Sequence, residues 1–242
     1  MRNIRLELEY DGTDFNGWQR QPGLRTVQGT LEHAIGVVLR QPAVAWGCAR
    51  TDAGVHAMGY VANFHTESDV GAGRLLSALN GVLPEDVAVI AAEDAAEDFH
   101  ARFSARARRY AYRIATRPTA VWRRFASPTH HVLDPALMAE AARHLVGEHD
   151  FTSFTSLANQ ANPVCVLGEA VVGSEGGLIT ITVESNRFLY HMVRVIAGTL
   201  IEVGRGRIAP ERMADIVRTR DRRAAGPTAP APGLMLVAVR YD

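Results

Sequence analysis

Short apolar runs of two different periods alternate along the first half of the chain. Every second residue from 4 to 10 is apolar, which predicts a half-buried strand ending at the turn-forming pair Asp11-Gly12. From residue 27 to 38 the apolar residues recur at helical spacing, behind Thr26 as the cap. The same reasoning predicts a loop at 50–57, a strand at 61–64 and a short helix at 75–79, and residues 84–90 are predicted to lead into another strand.

The second half mixes strands and helices in the same way. Asp134 and Pro135 supply a cap and a first-turn proline for a helix that Gly147 is expected to close. Strands are predicted at 110–114, 179–183 and 234–239, and helices at 189–203, ending at Gly204, and at 210–217. Because the elements lack regular βαβ spacing, the pattern indicates an α+β fold with antiparallel sheets. We expect a boundary near 104–106, which gives domains 1–105 and 106–242.

Composition narrows the class of protein. With 242 residues and 47% hydrophobic content, the chain can bury one large core or two smaller ones. The sequence shows neither a signal peptide nor an apolar run of membrane-spanning length. Two distant cysteines, Cys48 and Cys165, cannot form a disulfide scaffold or a four-cysteine zinc site. We therefore expect a reduced, soluble, cytoplasmic protein without a membrane partner.

Charge is segregated along a chain whose net charge is zero. All 26 basic residues are arginine, which a compositional bias of the genome explains as well as RNA binding does. Residues 99–133 contain eight arginines and no acid, whereas 85–98 contain six acids and no base. Such segregation can present a positive surface to a polyanion, although charges distant in sequence can also meet and neutralise each other in space.

Asp52 is the carboxylate with the strongest claim to chemistry. It follows Arg50 closely and precedes Gly54, which permits a tight turn, and His56. An arginine nearby keeps a partly buried carboxylate ionised, and such a group can act as a nucleophile or a base. The alternative is an ordinary turn in which the aspartate side chain caps its own backbone. The short segment by itself favours the turn.

Longer motifs change that balance, because together they resemble the tRNA pseudouridine synthase A (TruA) family from residue 4 to the C-terminus. The matching segments are 10–21 (YDGTDFNGWQRQ), 26–32 (TVQGTLE), 50–57 (RTDAGVHA), 99–105 (FHARFSA), 109–112 (RYAY), 188–194 (FLYHMVR), 228–231 (TAPA) and 233–234 (GL). One departure is Ala49, where the family usually has glycine.

The resemblance implies both a fold and a reaction. The fold would be two related α+β halves whose antiparallel sheets join into one extended sheet flanked by helices, with the active-site cleft between the halves. The reaction would convert uridine to pseudouridine at positions 38, 39 and 40 in the anticodon stem-loop of tRNAs, by a homodimer. The isomerisation has no net redox change, so no cofactor and no metal is expected, and the histidines match no zinc spacing.

The resemblance also implies roles for four residues. Asp52 would be the catalytic nucleophile, acting on a uridine flipped out of its stack. Tyr110 would stack on the flipped base, Arg194 would pair with Asp52, and Arg50 would lie near the displaced base. Periodicity alone would make Tyr110 a core strand residue and Arg194 an exposed helix residue. Whether Asp52 adds to the ring or promotes a glycal is open.

Two other functions are compatible with the sequence. The chain could be a synthase of the same family with a different RNA target, or a non-catalytic RNA-binding protein on the same scaffold. The second is disfavoured because a binding module gains nothing from a desolvated carboxylate facing phosphate.

Overall fold

The chain divides into two compact units in a computed structural model that describes residues 1–158 and 161–242. One unit consists of Met1–Arg106 and Leu236–Asp242, and the other of Ala107–Met235. In chain order the elements are β1 (Arg2–Tyr10), α1 (Val27–Leu39), β2 (Trp46–Gly47), β3 (His56–Thr66), α2 (Ala72–Asn80), β4 (Val87–Ala95), β5 (Ala107–Ala115), β6 (Ser127–Pro128), α3 (Pro135–Arg143), β7 (Gly147–Asp150), β8 (Val164–Glu175), β9 (Leu178–Ser185), α4 (Met192–Gly204), α5 (Arg212–Thr219) and β10 (Leu234–Arg240).

The first unit is built on the strand order β4-β1-β3-β10, with β2 added to β3. Ile4, Leu6 and Leu8 of β1 lie opposite Phe64, Ala62 and Tyr60 of β3 in antiparallel register, and all six are fully buried. Helices α1 and α2 contribute the other large apolar side chains of this core, namely Val27, Leu31, Ile35, Leu75 and Leu79. The opposite face of β1 carries Arg5, Glu7 and Glu9, as the period-2 pattern predicts.

The second unit has the strand order β5-β9-β8-β7, with the short strand β6 parallel to β5. Strands β8 and β9 form a hairpin whose loop is Gly176-Gly177, and both glycines have positive φ, 59° and 85°. Two central residues of positive φ match the right-handed twist of the flanking strands. Tyr110, Tyr112 and Ile114 of β5 face the buried side, with Val183, Ile181 and Ile179 of β9 beside them.

The α+β class with antiparallel sheets is confirmed, and the ten strands and five α-helices of the described residues fit the pseudouridine synthase fold. The predicted helix caps at Thr26 and Asp134 are also confirmed, since both side chains accept backbone N–H groups of the first turn. The predicted domains 1–105 and 106–242 stay a prediction, while the division by contacts places residues 236–242 in the first unit.

Two predicted helix ends are wrong. Helix α3 ends at Arg143, and Gly147 (φ 116°) begins β7 instead of closing the helix. Helix α4 begins at Met192 rather than at residue 189, because the preceding His191 adopts the left-handed conformation (φ 61°) and interrupts helical geometry.

Three of the six acids in residues 85–98 pair with arginines from elsewhere in the first unit. Arg2 pairs with Asp94, Arg5 with Glu93 and Arg25 with Asp86. The side-chain hydrogen bond from Arg2 lowers the pKa of Asp94. For these three carboxylates, charges that are distant in the sequence therefore meet and neutralise each other in space.

Both cysteines are buried thiols, and burial raises the pKa of Cys165 to about 11. Among the described residues, no helix combines the length and the apolar character needed to cross a bilayer.

Candidate active site

Asp52 lies on the predicted loop, between β2 and β3 in the first unit, and its side chain is partly exposed. A tight turn follows it, in which the Val55 N–H donates to the Asp52 carbonyl at 3.2 Å. Gly54 has a φ of +77°, a conformation that L side chains rarely adopt. The glycine in this segment is therefore required by the backbone, as the sequence suggested.

Residues 12–20, within the first motif and here called the bracing segment, support this loop through backbone contacts. Trp18 N–H donates to the Thr51 carbonyl at 3.1 Å, and Gly54 N–H donates to the Phe15 carbonyl at 3.3 Å. Two glycines make the approach so close that no side chain fits. A Cβ built at Gly12 would lie 1.9 Å from the Val55 carbonyl oxygen, and one at Gly17 would lie 2.5 Å from that of Thr51.

A polar network centred on the buried Gln28 and Glu32 fixes the bracing segment to α1. The Gln28 side-chain oxygen accepts from Gln19 Nε2 at 2.7 Å and from Arg20 N–H at 2.9 Å. Its amide nitrogen donates to Glu32 at 3.0 Å, and Glu32 also pairs with Arg20 at 2.9 Å. Because every member of this network has a partner, burying these polar groups carries little penalty.

Aromatic packing supports the chain just before Asp52. The Trp18 ring stacks on Tyr60 at 4.3 Å between centroids, and the Tyr60 hydroxyl donates to the Ala49 carbonyl. Ala49 does not have positive φ. Alanine in place of the glycine usual in the family therefore introduces no backbone strain.

Two further contacts tie the end of β1 and the turn after it to the Asp52 loop and to the start of β3. Tyr10 and Thr51 share a hydrogen bond of 2.8 Å between their hydroxyl oxygens. The His56 imidazole is fully buried, with Nδ1 lying 3.0 Å from Gly12 N and 3.1 Å from Asp11 Oδ1. His56 is thus a structural link between the two motifs.

Tyr110 sits in the second unit, on the buried face of β5, where 7% of the residue is exposed. The Phe188 ring meets it edge to face, with 5.1 Å between centroids and an interplanar angle of 87°. Such a contact fixes the ring orientation of Tyr110. A tyrosine held in this way can offer a rigid face to a base.

Arg194, on the first turns of α4, is held by reciprocal hydrogen bonds with Ala229. Its Nε–H donates to the Ala229 carbonyl at 2.8 Å, and its own carbonyl accepts from Ala229 N–H at 3.0 Å. The last loop also approaches α4 too closely for a side chain, since a Cβ at Gly198 would lie 1.7 Å from the Pro227 carbonyl oxygen. Arg194 is therefore a positioned side chain and not an exposed helix arginine.

Tyr112 anchors the same loop from β5. Its hydroxyl donates to the Pro230 carbonyl at 2.9 Å. Burial raises the pKa of Tyr112 to about 12, so the hydroxyl stays neutral and keeps its proton for this bond.

The predicted residues fall into two sets, one in each unit. Asp52 and Arg50 belong to the first unit, and Tyr110 and Arg194 to the second. Arg50 is exposed and forms no ion pair within the described residues. The pairing of Asp52 with Arg194, and the stacking role of Tyr110, stay predictions.

Sequence reasoning missed the supports of these residues. Phe188, Ala229 and Gly12 lie in the motifs that carry the resemblance, and Gly198 lies in the predicted helix 189–203, but their contacts are long-range. Periodicity carries no signal for a backbone carbonyl that holds a guanidinium.

Comparisons with known proteins identify the family of the chain. A family model described as tRNA pseudouridine synthase matches residues 8–104 and 141–242. The tRNA pseudouridine synthase A of Ruminiclostridium cellulolyticum is 41% identical over 245 residues, with both chains fully covered. That of Paramagnetospirillum magneticum is 46% identical, covering 100% of this chain and 96% of its own, and that of Photobacterium profundum is 44% identical, covering 98% and 92%. The chain belongs to the tRNA pseudouridine synthase family.

Proposed function

We propose that this protein isomerises uridine to pseudouridine at positions 38, 39 and 40 in the anticodon stem-loop of tRNAs, with Asp52 as the nucleophile. The observation that carries the proposal is family membership over the whole chain, with relatives named tRNA pseudouridine synthase A. The braced loop around Asp52 supports the assignment of the carboxylate, because catalysis needs a group held in a fixed position.

The reaction needs a carboxylate and no external reagent. The glycosidic bond between uracil N1 and the ribose C1′ breaks, the ring turns, and a bond forms between C5 and C1′. N1 gains a proton and C5 loses one, so atoms and electrons balance within the nucleotide. Asp52 attacks or deprotonates the substrate at the start of this sequence and is regenerated at its end.

The remaining roles follow from what each side chain can offer. Tyr110, fixed edge to face by Phe188, provides a stacking surface for the flipped uracil, a contact worth about 1–3 kcal/mol per base. Arg194, held by Ala229, offers a positive charge to the Asp52 carboxylate. Arg50, exposed beside Asp52, contacts the displaced RNA.

The resemblance further supports a cytoplasmic homodimer, with one tRNA bound across both subunits. No cofactor enters the proposal.

Release of tritium from tRNA labelled at uridine C5 tests the catalytic claim directly. The native protein should release label from its tRNA substrates, and Asp52→Asn should lower the rate at least about a thousand-fold, as expected when a residue that acts covalently is removed. Mapping of pseudouridine in the product should find it at positions 38–40.

Asp14→Asn is the matched control. Asp14 is an exposed carboxylate in the bracing segment, so the charge change is identical and the rate should stay near native. No release by the native protein from any tRNA would refute the enzyme, and full release by Asp52→Asn would refute the nucleophile. Product at other positions would point to a different RNA target.

A further inference from the structure

Arg113 lies in a different setting from Arg109, the other arginine on its face of β5. It projects from β5 opposite Thr180 of β9, on the side away from the buried tyrosines. Arg109, on the same face, is neutralised by Glu184 and Glu169. Arg113 has no carboxylate partner within the described residues, although its guanidinium is half-buried.

The surroundings of Arg113 are soft and apolar. Its Nη1 lies 3.3 Å from Met235 Sδ, and its guanidinium lies 5.5 Å from the centroid of the Trp122 ring. Burial lowers the pKa of Arg113, and no neighbouring acid counters that effect. A desolvated cation without a counter-ion is costly, and an incoming anion would offset the cost.

The loop after β5 carries two more exposed arginines. Arg117 donates to the Gly176 carbonyl and Arg123 to the Ala120 carbonyl, and neither forms an ion pair within the described residues. Glu175, on the adjacent hairpin, forms no ion pair within the described residues. This loop lies inside the acid-free stretch 99–133.

Trp122 gives the cluster an aromatic surface. The residue is 36% exposed and is held in a turn, with its carbonyl accepting from Phe125 N–H and Ala126 N–H, each at 2.9 Å. Its own N–H donates to Thr119 Oγ1 at 3.2 Å. An exposed indole beside the Arg113 guanidinium combines base stacking with phosphate binding.

We propose that Arg113, Arg117, Trp122 and Arg123, here called the arginine–tryptophan patch, form an RNA-binding site separate from the four predicted active-site residues. The arginines bind backbone phosphates and Trp122 stacks on an unpaired base. RNA fits better than a protein partner because the patch presents several cations and one flat ring, and the charge of RNA complements it. The inference rests on the proposed function, since it takes RNA as the substrate.

Binding of unmodified tRNA, measured over a range of salt concentrations, tests the patch. The triple variant Arg113→Gln, Arg117→Gln, Arg123→Gln should raise Kd about tenfold or more. It should also reduce the slope of log K against log salt by about 2–3, at about 0.7–0.9 for each lost phosphate contact. Trp122→Leu should raise Kd about fivefold with the salt slope unchanged. In tritium release, KM for tRNA should rise while kcat stays near native.

The control triple is Arg143→Gln, Arg212→Gln, Arg218→Gln, which removes the same charge from exposed helix positions. If Arg113→Gln destabilises the fold, the exposed double variant Arg117→Gln, Arg123→Gln still tests the patch. Equal affinity and salt slope in the patch and control variants would overturn the proposal. So would unchanged affinity with loss of a dimer in sedimentation, which would make the patch an interface between copies. Native binding without tritium release would refute the proposed function and leave the patch standing.

Discussion

The Asp52 loop of the first unit and the Arg194 helix of the second are both braced through glycine, but by different means. Around Asp52 one loop supports another through backbone contacts, with Gly12 against the Val55 carbonyl. Around Arg194 a loop supports a helix, with Gly198 against the Pro227 carbonyl, and the guanidinium itself is bonded. Backbone contacts thus position the Asp52 loop, and Arg194 is held both by backbone contacts and by a hydrogen bond of its guanidinium.

The largest expected effects come from adding a methyl group at each close approach. Gly12→Ala and Gly198→Ala should each lower the free energy of unfolding by about 3 kcal/mol or more, because the new Cβ would lie 1.9 Å and 1.7 Å from a carbonyl oxygen. Denaturant unfolding measures both. If backbone contacts matter more for Asp52 than for Arg194, the folded fraction of Gly12→Ala should lose more activity than the folded fraction of Gly198→Ala.

Gly73→Ala is the control for this pair. Gly73 lies in α2, and a Cβ there would meet no heavy atom within 4 Å. The substitution should stabilise the protein by up to about 1 kcal/mol, since alanine favours helix over glycine. Near-native stability of either Gly12→Ala or Gly198→Ala would mean that the backbone at that close approach can move to accommodate a methyl group at little cost.

A smaller effect is expected in the stability of the second unit at high pH, because Tyr112 lies there. The pKa of Tyr112 is raised to about 12, so its contribution to stability is complete below pH 10, where the unfolded tyrosine titrates, and is lost as pH rises towards 12. Over that window the native protein should lose about 2–3 kcal/mol through this group. Tyr112→Phe should remove this part of the pH dependence, as chemical unfolding at pH 8 and pH 11 would reveal.

Cys165 also has a raised pKa and destabilises the protein in the same direction at high pH. The difference between native and Tyr112→Phe isolates the tyrosine, because both proteins keep the thiol. An unchanged pH profile in Tyr112→Phe would contradict the burial argument.

The smallest effect concerns the first region. Tyr10→Phe removes the hydroxyl that bonds Thr51 at 2.8 Å and should lower the free energy of unfolding by about 1 kcal/mol at neutral pH. Thr51→Val in the same background tests whether the bond is the cause. If it is, the two substitutions together should cost less than the sum of their separate effects.

Local patterns predicted most elements, and the failures have physical causes. Strand β8 was missed because Gly168 interrupts it, a register shift lies between Leu167 and Glu169, and two of its valines, at 164 and 166, are exposed. The early start given to α4 failed because residues 189–191 are apolar or aromatic like the helix, while His191 takes a left-handed conformation that composition does not reveal.

The candidate site was predicted unevenly for a similar reason. Asp52, Tyr110, Arg194 and Arg50 came from motifs, and only the requirement for Gly54 followed from local chemistry. One partner of the Arg194 guanidinium is a carbonyl 35 positions away, and the strand pairing decides which side chains lie next to Arg113. Such contacts depend on tertiary structure, which no local window contains.

The last strand has a consequence for synthesis of the chain. Residues 236–242 complete the first unit: β10 lies next to β3, Arg106 N–H donates to the Arg240 carbonyl, and the Tyr241 hydroxyl donates to the Ala101 carbonyl. The ribosome must therefore make all of Ala107–Met235 before the first unit can close, a delay on the order of ten seconds at bacterial rates. During that time the part of β3 that later pairs with β10 is an open edge next to the short strand β2, to which other nascent chains can pair. Chaperone demand should accordingly be set by the first unit, although it is the first to be translated.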